Sequence, residues 1–215
     1  MGREFDELFD EWSLTYDEFV LGKDEQYREV FDGYERILTE VVTRSYGTIL
    51  EFGVGTGNLT EKLVKQGYNV IGVEPSKEMR NLAIQKLHDS VSIQDGDFFQ
   101  FKLPKPIDTI VSTYAFHHLT DEEKAEALKH YASILPIGGK IVFADTMFLD
   151  ELYFTNLKLD VKKRNYHDLL KDLETEYYPL VSTIKDLFEK NGFMVEMKQM
   201  NRYVWLIDST KKVNI

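Results

Sequence analysis

The stretch Thr48-Ile49-Leu50-Glu51-Phe52-Gly53-Val54-Gly55-Thr56-Gly57-Asn58-Leu59 reads as a short buried strand running into a glycine turn that opens a helix. Glycines at 53, 55 and 57 remove every Cβ from one side of that turn, so a ligand can approach the backbone closely. The helix behind it aims its free N–H groups and positive dipole end at the same place. This pattern suits a nucleoside cofactor.

Two details bear on which cofactor. The dinucleotide fingerprint G-x-G-x-x-G requires a third glycine at position 58, where the chain has Asn58. Glu51 stands two residues before the first glycine, where its carboxylate would repel a pyrophosphate in a poorly solvated crevice. A cofactor with an ammonium and a sulfonium, and no phosphate, suits Glu51 better; S-adenosylmethionine (SAM) is that cofactor. A phosphate-cradling P-loop is excluded because no Gly-Lys-Ser/Thr follows.

The 215 residues fit one domain, and a 43% hydrophobic content can fill its core. The 37 acids against 26 basic residues, a net charge of -11, argue against nucleic acid as a partner. Lys162-Lys163-Arg164 reads as a solvated helix face. There are no cysteines, so disulfides, thiolate chemistry and Cys-ligated zinc are ruled out, and the five histidines show no metal-ligand spacing. No run approaches a membrane span and the acidic start lacks a signal core, so a cytoplasmic, membrane-free protein is expected.

The first 46 residues read as a helical arm, with Phe5, Leu8, Phe9 and Trp12 at helical spacing and then Tyr27, Phe31, Tyr34, Leu38 and Val41. Between them, Trp12-Ser13-Leu14-Thr15-Tyr16-Asp17 either packs the arm down or meets ligand. From Thr48 strands alternate with helices. Asn69 to Val73 ends at Glu74-Pro75-Ser76, Val91 to Gln94 at Asp95-Gly96-Asp97-Phe98, and Thr109 to Ser112 follows two prolines. Thr120-Asp121-Glu122-Glu123 is a capping box before another helix, and Lys140 to Asp145 is a fifth strand. This alternation predicts an α/β, doubly wound, Rossmann-like sheet covered on both faces. Residues 148 to 180 break the rhythm as a charged, aromatic helical insertion. After one more helix, residues 193 to 207 read as a terminal antiparallel hairpin around Met200-Asn201.

In such sheets ligands lie beyond the carboxyl ends of the strands. Glu74 is placed there to take ribose hydroxyls, Asp97 to accept from an adenine amine, and Phe98 to pack nearby and offer its backbone N–H. Glu51-Phe-Gly53-Val-Gly55-Thr-Gly57, Glu74, Gly96-Asp97-Phe98, the run from Asp108 through Ser112 to His118, and Leu135-Pro-Ile-Gly138-Gly139 together resemble the class I SAM-dependent methyltransferases. The opening residues, Trp12 to Asp17 and the run from Asp24 to Phe31 are more narrowly similar to a bacterial group of the YrrT type. The resemblance implies a seven-stranded sheet of order 3-2-1-4-5-7-6 with the seventh strand antiparallel. It also implies SAM binding by Gly53, Glu74 and Asp97, with Glu51, Gly55, Gly57, Phe98 and Ser112 in the same constellation.

Methyl transfer needs an aligned nucleophile and at most a base. Candidates are Tyr114, Phe116, His117 and His118 after the fourth strand, with Tyr16 as a lid contact; Asp145 either meets substrate or caps a helix. Ser112-Thr113-Tyr114-Ala115 replaces the N-P-P-Y signature of amino-group methyltransferases acting on DNA or protein, which points to a small-molecule acceptor. The arm and the insertion are expected to close over it. Monomer and homodimer are both open, and the rival readings are a SAM-binding sensor without turnover and an NAD(P)-dependent oxidoreductase.

Overall fold

The computed structural model describes residues 16 to 213. The expected helix over Phe5 to Trp12, and most of the segment ending at Asp17, lie outside the described residues. The described elements are α1 (Tyr16–Val20), α2 (Tyr34–Arg44), β1 (Thr48–Phe52), α3 (Asn58–Lys65), β2 (Asn69–Val73), α4 (Lys77–Leu87), β3 (Ser92–Gln94) and β4 (Thr109–Thr113). They continue with α5 (Asp121–Ile134), β5 (Lys140–Thr146), α6 (Glu151–Lys163), α7 (His167–Thr175), α8 (Val181–Lys190), β6 (Phe193–Gln199) and β7 (Val204–Lys211).

The seven strands lie in the order β3-β2-β1-β4-β5-β7-β6. Strands β1 to β5 pair parallel, and β7 runs antiparallel between β5 and β6. Strand residues alternate between two layers, as the period of two requires. Ile49, Val111 and Val142 face α2 and α3 through Ile37, Leu38, Val41 and Leu63. Leu50, Ile110, Ile141 and Phe143 face α5 and α8 through Leu128, Tyr131, Ile184 and Phe188. Register then fixes the functional edge. Phe52 is level with Val73 on one side and Ser112 on the other, so Gly53, Glu74 and Thr113 emerge together where the strand order reverses.

Local signals start the helices as the sequence indicates. Ser76 accepts the Met79 N–H at 3.2 Å, and both bonds of the Thr120/Glu123 capping box are made, at 2.9 and 3.2 Å. The arm differs from the reading of one helix over Tyr27 to Val41. Residues 24 to 32 are turns, and the helix begins only at Tyr34, after Gly33 in the left-handed region at φ 71°. Asp24 accepts the Gln26 N–H at 2.7 Å, closing an Asx turn. Asn201 takes the Val30 and Asp32 carbonyls at 2.9 Å each, removing them from any helical ladder.

The insertion leaves and rejoins the sheet at one point. Phe148 bridges to Leu180, its N–H donating to Pro179 at 3.1 Å and its carbonyl accepting from Val181 at 2.8 Å. Arm and insertion are joined by polar pairs. Tyr27 donates to Asp172 at 2.5 Å, and Gln26 makes two bonds with Asp168. Glu29 pairs with Arg164 at 2.5 Å and Arg202 at 2.9 Å. Arg164 is therefore a tether to the arm rather than part of a merely solvated basic face. No described helix is long and apolar enough to cross a membrane.

Candidate active site

The glycine turn and the ends of β2, β3 and β4 line a solvent-open cavity, with Gly53, Gly55, Glu74, Asp97 and Phe98 among its walls. Gly53 sits at φ 67°, and a Cβ there would lie 2.8 Å from the Ala115 Cβ. Gly55 sits at φ 57°, and a Cβ there would meet nothing within 4 Å, so the backbone is bare toward the cavity. Glu74 is buried and fixed through both oxygens: Oε2 accepts the Gly55 N–H at 2.7 Å and Oε1 the Ser76 N–H at 2.9 Å. Asp97 turns the chain after β3 by accepting the Phe99 and Gln100 N–H groups at 2.8 Å each. Phe98 packs on Phe52 and Phe116, with centroids 5.2 and 5.5 Å away.

The remaining expected cofactor residues stand behind this wall. Gly57 precedes α3 in the left-handed region at φ 86° and does not line the cavity. Ser112 is buried in the sheet between Phe52 and Phe143 and is not among the cavity's lining residues, whereas its neighbour Thr113 is. Glu51 is buried at 1% exposure on the central strand, and its Oε2 has no hydrogen-bond partner among the described residues. Burial, reinforced by the negative charge of Glu74 and only partly offset by Thr60, pushes its carboxyl up to about 8. An orphaned buried carboxyl oxygen is costly unless something fills its need. An ammonium group would do so, and the residues present thus fit SAM.

A second cavity opens under the arm and the insertion. Tyr16, Tyr114 and His118 line both cavities and form the wall between them. Tyr16 is carried by α1, which is docked on the glycine turn: Asp17 accepts from Thr56 at 2.7 Å and Asn58 at 3.1 Å. Tyr114 holds a left-handed backbone at φ 54°, a conformation costing about 1–3 kcal/mol for a residue with a side chain. Its N–H is tied to the Ala144 carbonyl at 3.0 Å, while its hydroxyl is buried with no partner among the described residues. Strain beside an unsatisfied hydroxyl makes Tyr114 a candidate functional position.

His117 is clamped between two carboxylates. Its Nδ1 lies 2.5 Å from Asp145 Oδ1 and its Nε2 3.3 Å from Glu176 Oε2, with Tyr178 stacked on the ring at 4.9 Å. Burial alone would lower its pKa, but Asp145 and then Glu176 outweigh it and raise it to about 10. His118 is held neutral by burial and by its charged neighbour, down to about 3. Neither histidine is tuned to take a proton near neutral pH. Asp145 neither caps the next helix nor lines a cavity: it accepts the N–H groups of Phe116 at 2.6 Å, His117 at 3.2 Å and Ala115 at 3.3 Å, shaping the turn over Phe116–His118.

Glu176, Asp172 and Lys124 were not singled out from sequence. Lys124 is fully buried on α5, donating to Leu119 O and, at 2.8 Å, to Tyr177 O. It thereby pins the exit of the insertion beside Glu176. The signal for all three lies in partners distant along the chain.

A parallel sheet reversed at β1, a bare glycine turn, and acids at three successive strand ends define a class I SAM-dependent methyltransferase, with SAM as its cofactor. The chain belongs to the methyltransferase-domain family, whose model matches residues 23–197. It is 54% identical over 212 residues to an uncharacterized methyltransferase of Bacillus cytotoxicus, covering 99% of this chain and 100% of that one. An uncharacterized methyltransferase of Bacillus cereus is 53% identical over the same span, with the same coverage. Among solved structures, the DhpI–SAH complex superposes with a TM-score of 0.70 at 14% identity, covering 99% of this chain and 97% of that one. Magnesium protoporphyrin IX methyltransferase of Synechocystis with bound SAM gives a TM-score of 0.64 at 17% identity, covering 87% and 84%. At these identities the structures speak for the fold. The family match sets aside the nicotinamide alternative.

Proposed function

We propose that the enzyme transfers the SAM methyl group to a small-molecule acceptor seated in the second cavity. The observation that carries this reading is the wall of Tyr16, Tyr114 and His118 shared by two adjoining cavities. On the cofactor side, Gly53 and Gly55 give the backbone room, and Glu74 and Asp97 offer carboxylates to the nucleoside. Phe98 supplies apolar packing, and Glu51 answers the ammonium. Bound there, SAM supplies a methyl group on a sulfonium.

What the chain contributes is placement. Tyr16, Tyr114 and His118 stand between the cavities and align the acceptor with the methyl carbon, and holding reactants in line accounts for much of such a rate. The arm and insertion exclude water by covering the second cavity, acting as a lid held by Tyr27–Asp172 and Glu29–Arg164. With both nitrogens of His117 engaged by Asp145 and Glu176, the acceptor brings its own nucleophilic pair. A cytoplasmic enzyme, as monomer or homodimer, fits this reading.

A screen of small acceptors with methyl-labelled SAM tests it, together with Leu173→Trp. Leu173 lines the second cavity only. The variant, folded by circular dichroism, is expected to bind SAM as the wild type does and to lose transfer. Undiminished transfer in a folded Leu173→Trp protein would remove the acceptor from that cavity.

A further inference from the structure

We propose that His117, His118 and Glu176 form a binding site for one divalent transition-metal ion of the zinc type, on the wall of the second cavity. Each residue offers one ligand atom, all within 4.8 Å of one another. Two imidazoles and one carboxylate are a donor set of catalytic zinc sites, with the fourth position left open. The 3.3 Å between His117 Nε2 and Glu176 Oε2 matches the edge of a tetrahedron with bonds of about 2.0–2.1 Å.

The surroundings have the form that metal sites take. Asp145 Oδ1 holds His117 Nδ1 at 2.5 Å, so the ring presents Nε2 to the site in a carboxylate–histidine–metal arrangement. Asp145 is immobilised by the N–H groups of the Phe116–His118 turn and of Thr146. Glu176 Oε2 is steadied by the Tyr178 hydroxyl. Asp145 and Glu176 place two negative charges around two imidazoles in a buried pocket, and a dication with neutral imidazoles balances them. All three ligands line the second cavity, so the open position faces whatever sits there.

The site also joins two parts of the fold. His117 and His118 follow β4, whereas Glu176 caps the C-terminal end of α7 in the insertion. A bound ion would cross-link the insertion to the strand end. It would also favour an acceptor bearing a thiol or hydroxyl. On coordination that group loses its proton to solvent more readily, and the freed sulfur or oxygen pair then forms the bond to the methyl carbon as the carbon–sulfonium bond breaks. This use of the metal rests on the proposed acceptor site; the binding itself does not.

The test is a titration of chelator-stripped full-length protein with Co²⁺, without SAM or acceptor. The expected result is saturation at one ion per chain with visible ligand-field bands, displaced by Zn²⁺. Glu176→Gln and His118→Ala, each folded by circular dichroism, should weaken binding at least tenfold, and Asp145→Asn should weaken it about 10–100-fold. No ligand-field bands at millimolar Co²⁺ in folded wild-type protein would overturn the site. Binding that Glu176→Gln and His118→Ala leave unchanged would overturn it equally.

Discussion

Glu74 Oε2 accepts the backbone N–H of Gly55 at 2.7 Å, so the carboxylate ending β2 holds the glycine turn that follows β1. One side chain thereby shapes the turn and faces the cofactor cavity. Glu74→Ala is expected to weaken SAM tenfold or more, since charge-assisted hydrogen bonds are worth about 1.5–3 kcal/mol. Calorimetric titration of the folded variant checks this, and unchanged affinity would take Glu74 out of the site.

Glu51 is expected to make SAM binding depend on pH. Its folded pKa of about 8 lies above the ordinary 4.5, so the free protein holds an extra proton between those values and loses stability as pH rises through them. Pairing with an ammonium requires the carboxylate, so SAM affinity should rise from pH 6.5 toward about 8. There the α-amino group, with an ordinary pKa of about 7.7–8.0, begins to lose its own proton. Glu51→Gln should flatten both the melting profile and the rising limb of affinity. A wild-type Kd constant from pH 6.5 to 8 would show that Glu51 does not meet the ammonium.

The sheet was legible because its causes are local: period-two apolar runs, the capping box at Thr120, the turn at Gly53. Strand ends then brought Glu74, Asp97 and Phe98 together as the topology requires. The acceptor side was not legible, because its roles are set by distant partners. His117 resembles a base until Asp145 and Glu176 are seen on its two nitrogens. Tyr27 and Phe31 mimic a helical face, yet they pack from a turn region on Phe19 and Tyr16. Ser112 shares a strand end with Thr113, yet it is buried between Phe52 and Phe143 and only Thr113 lines the cavity.

Tyr27 and Asp172 tie the arm to the insertion through one 2.5 Å hydrogen bond. Burial, helped by the charge of Glu176, raises the Asp172 carboxyl to about 6 despite that bond. Tyr27→Phe removes the donor and leaves the acceptor in place, a loss of about 1–3 kcal/mol for a partly buried group. Hydrogen exchange is expected to quicken in α7 while SAM affinity holds and the acceptor KM rises. Unaltered exchange in α7 would show that the contact does not hold the insertion down.

Gly53 and Gly55 separate folding from binding. Both have positive φ, which costs about 1–2 kcal/mol once a Cβ is present. At Gly53 that Cβ also lies 2.8 Å from Ala115 Cβ, and the neighbour is on the strained loop after Tyr114. At Gly55 it meets no protein atom within 4 Å and projects where the cofactor approaches. Gly53→Ala should therefore lower the melting temperature more than Gly55→Ala does. Gly55→Ala should lose more SAM affinity than its modest loss of stability explains. Thermal melts and calorimetric titration of the two variants side by side measure both quantities. Equal melting temperatures with full SAM affinity in Gly55→Ala would mean that the bare backbone at Gly55 serves the turn alone.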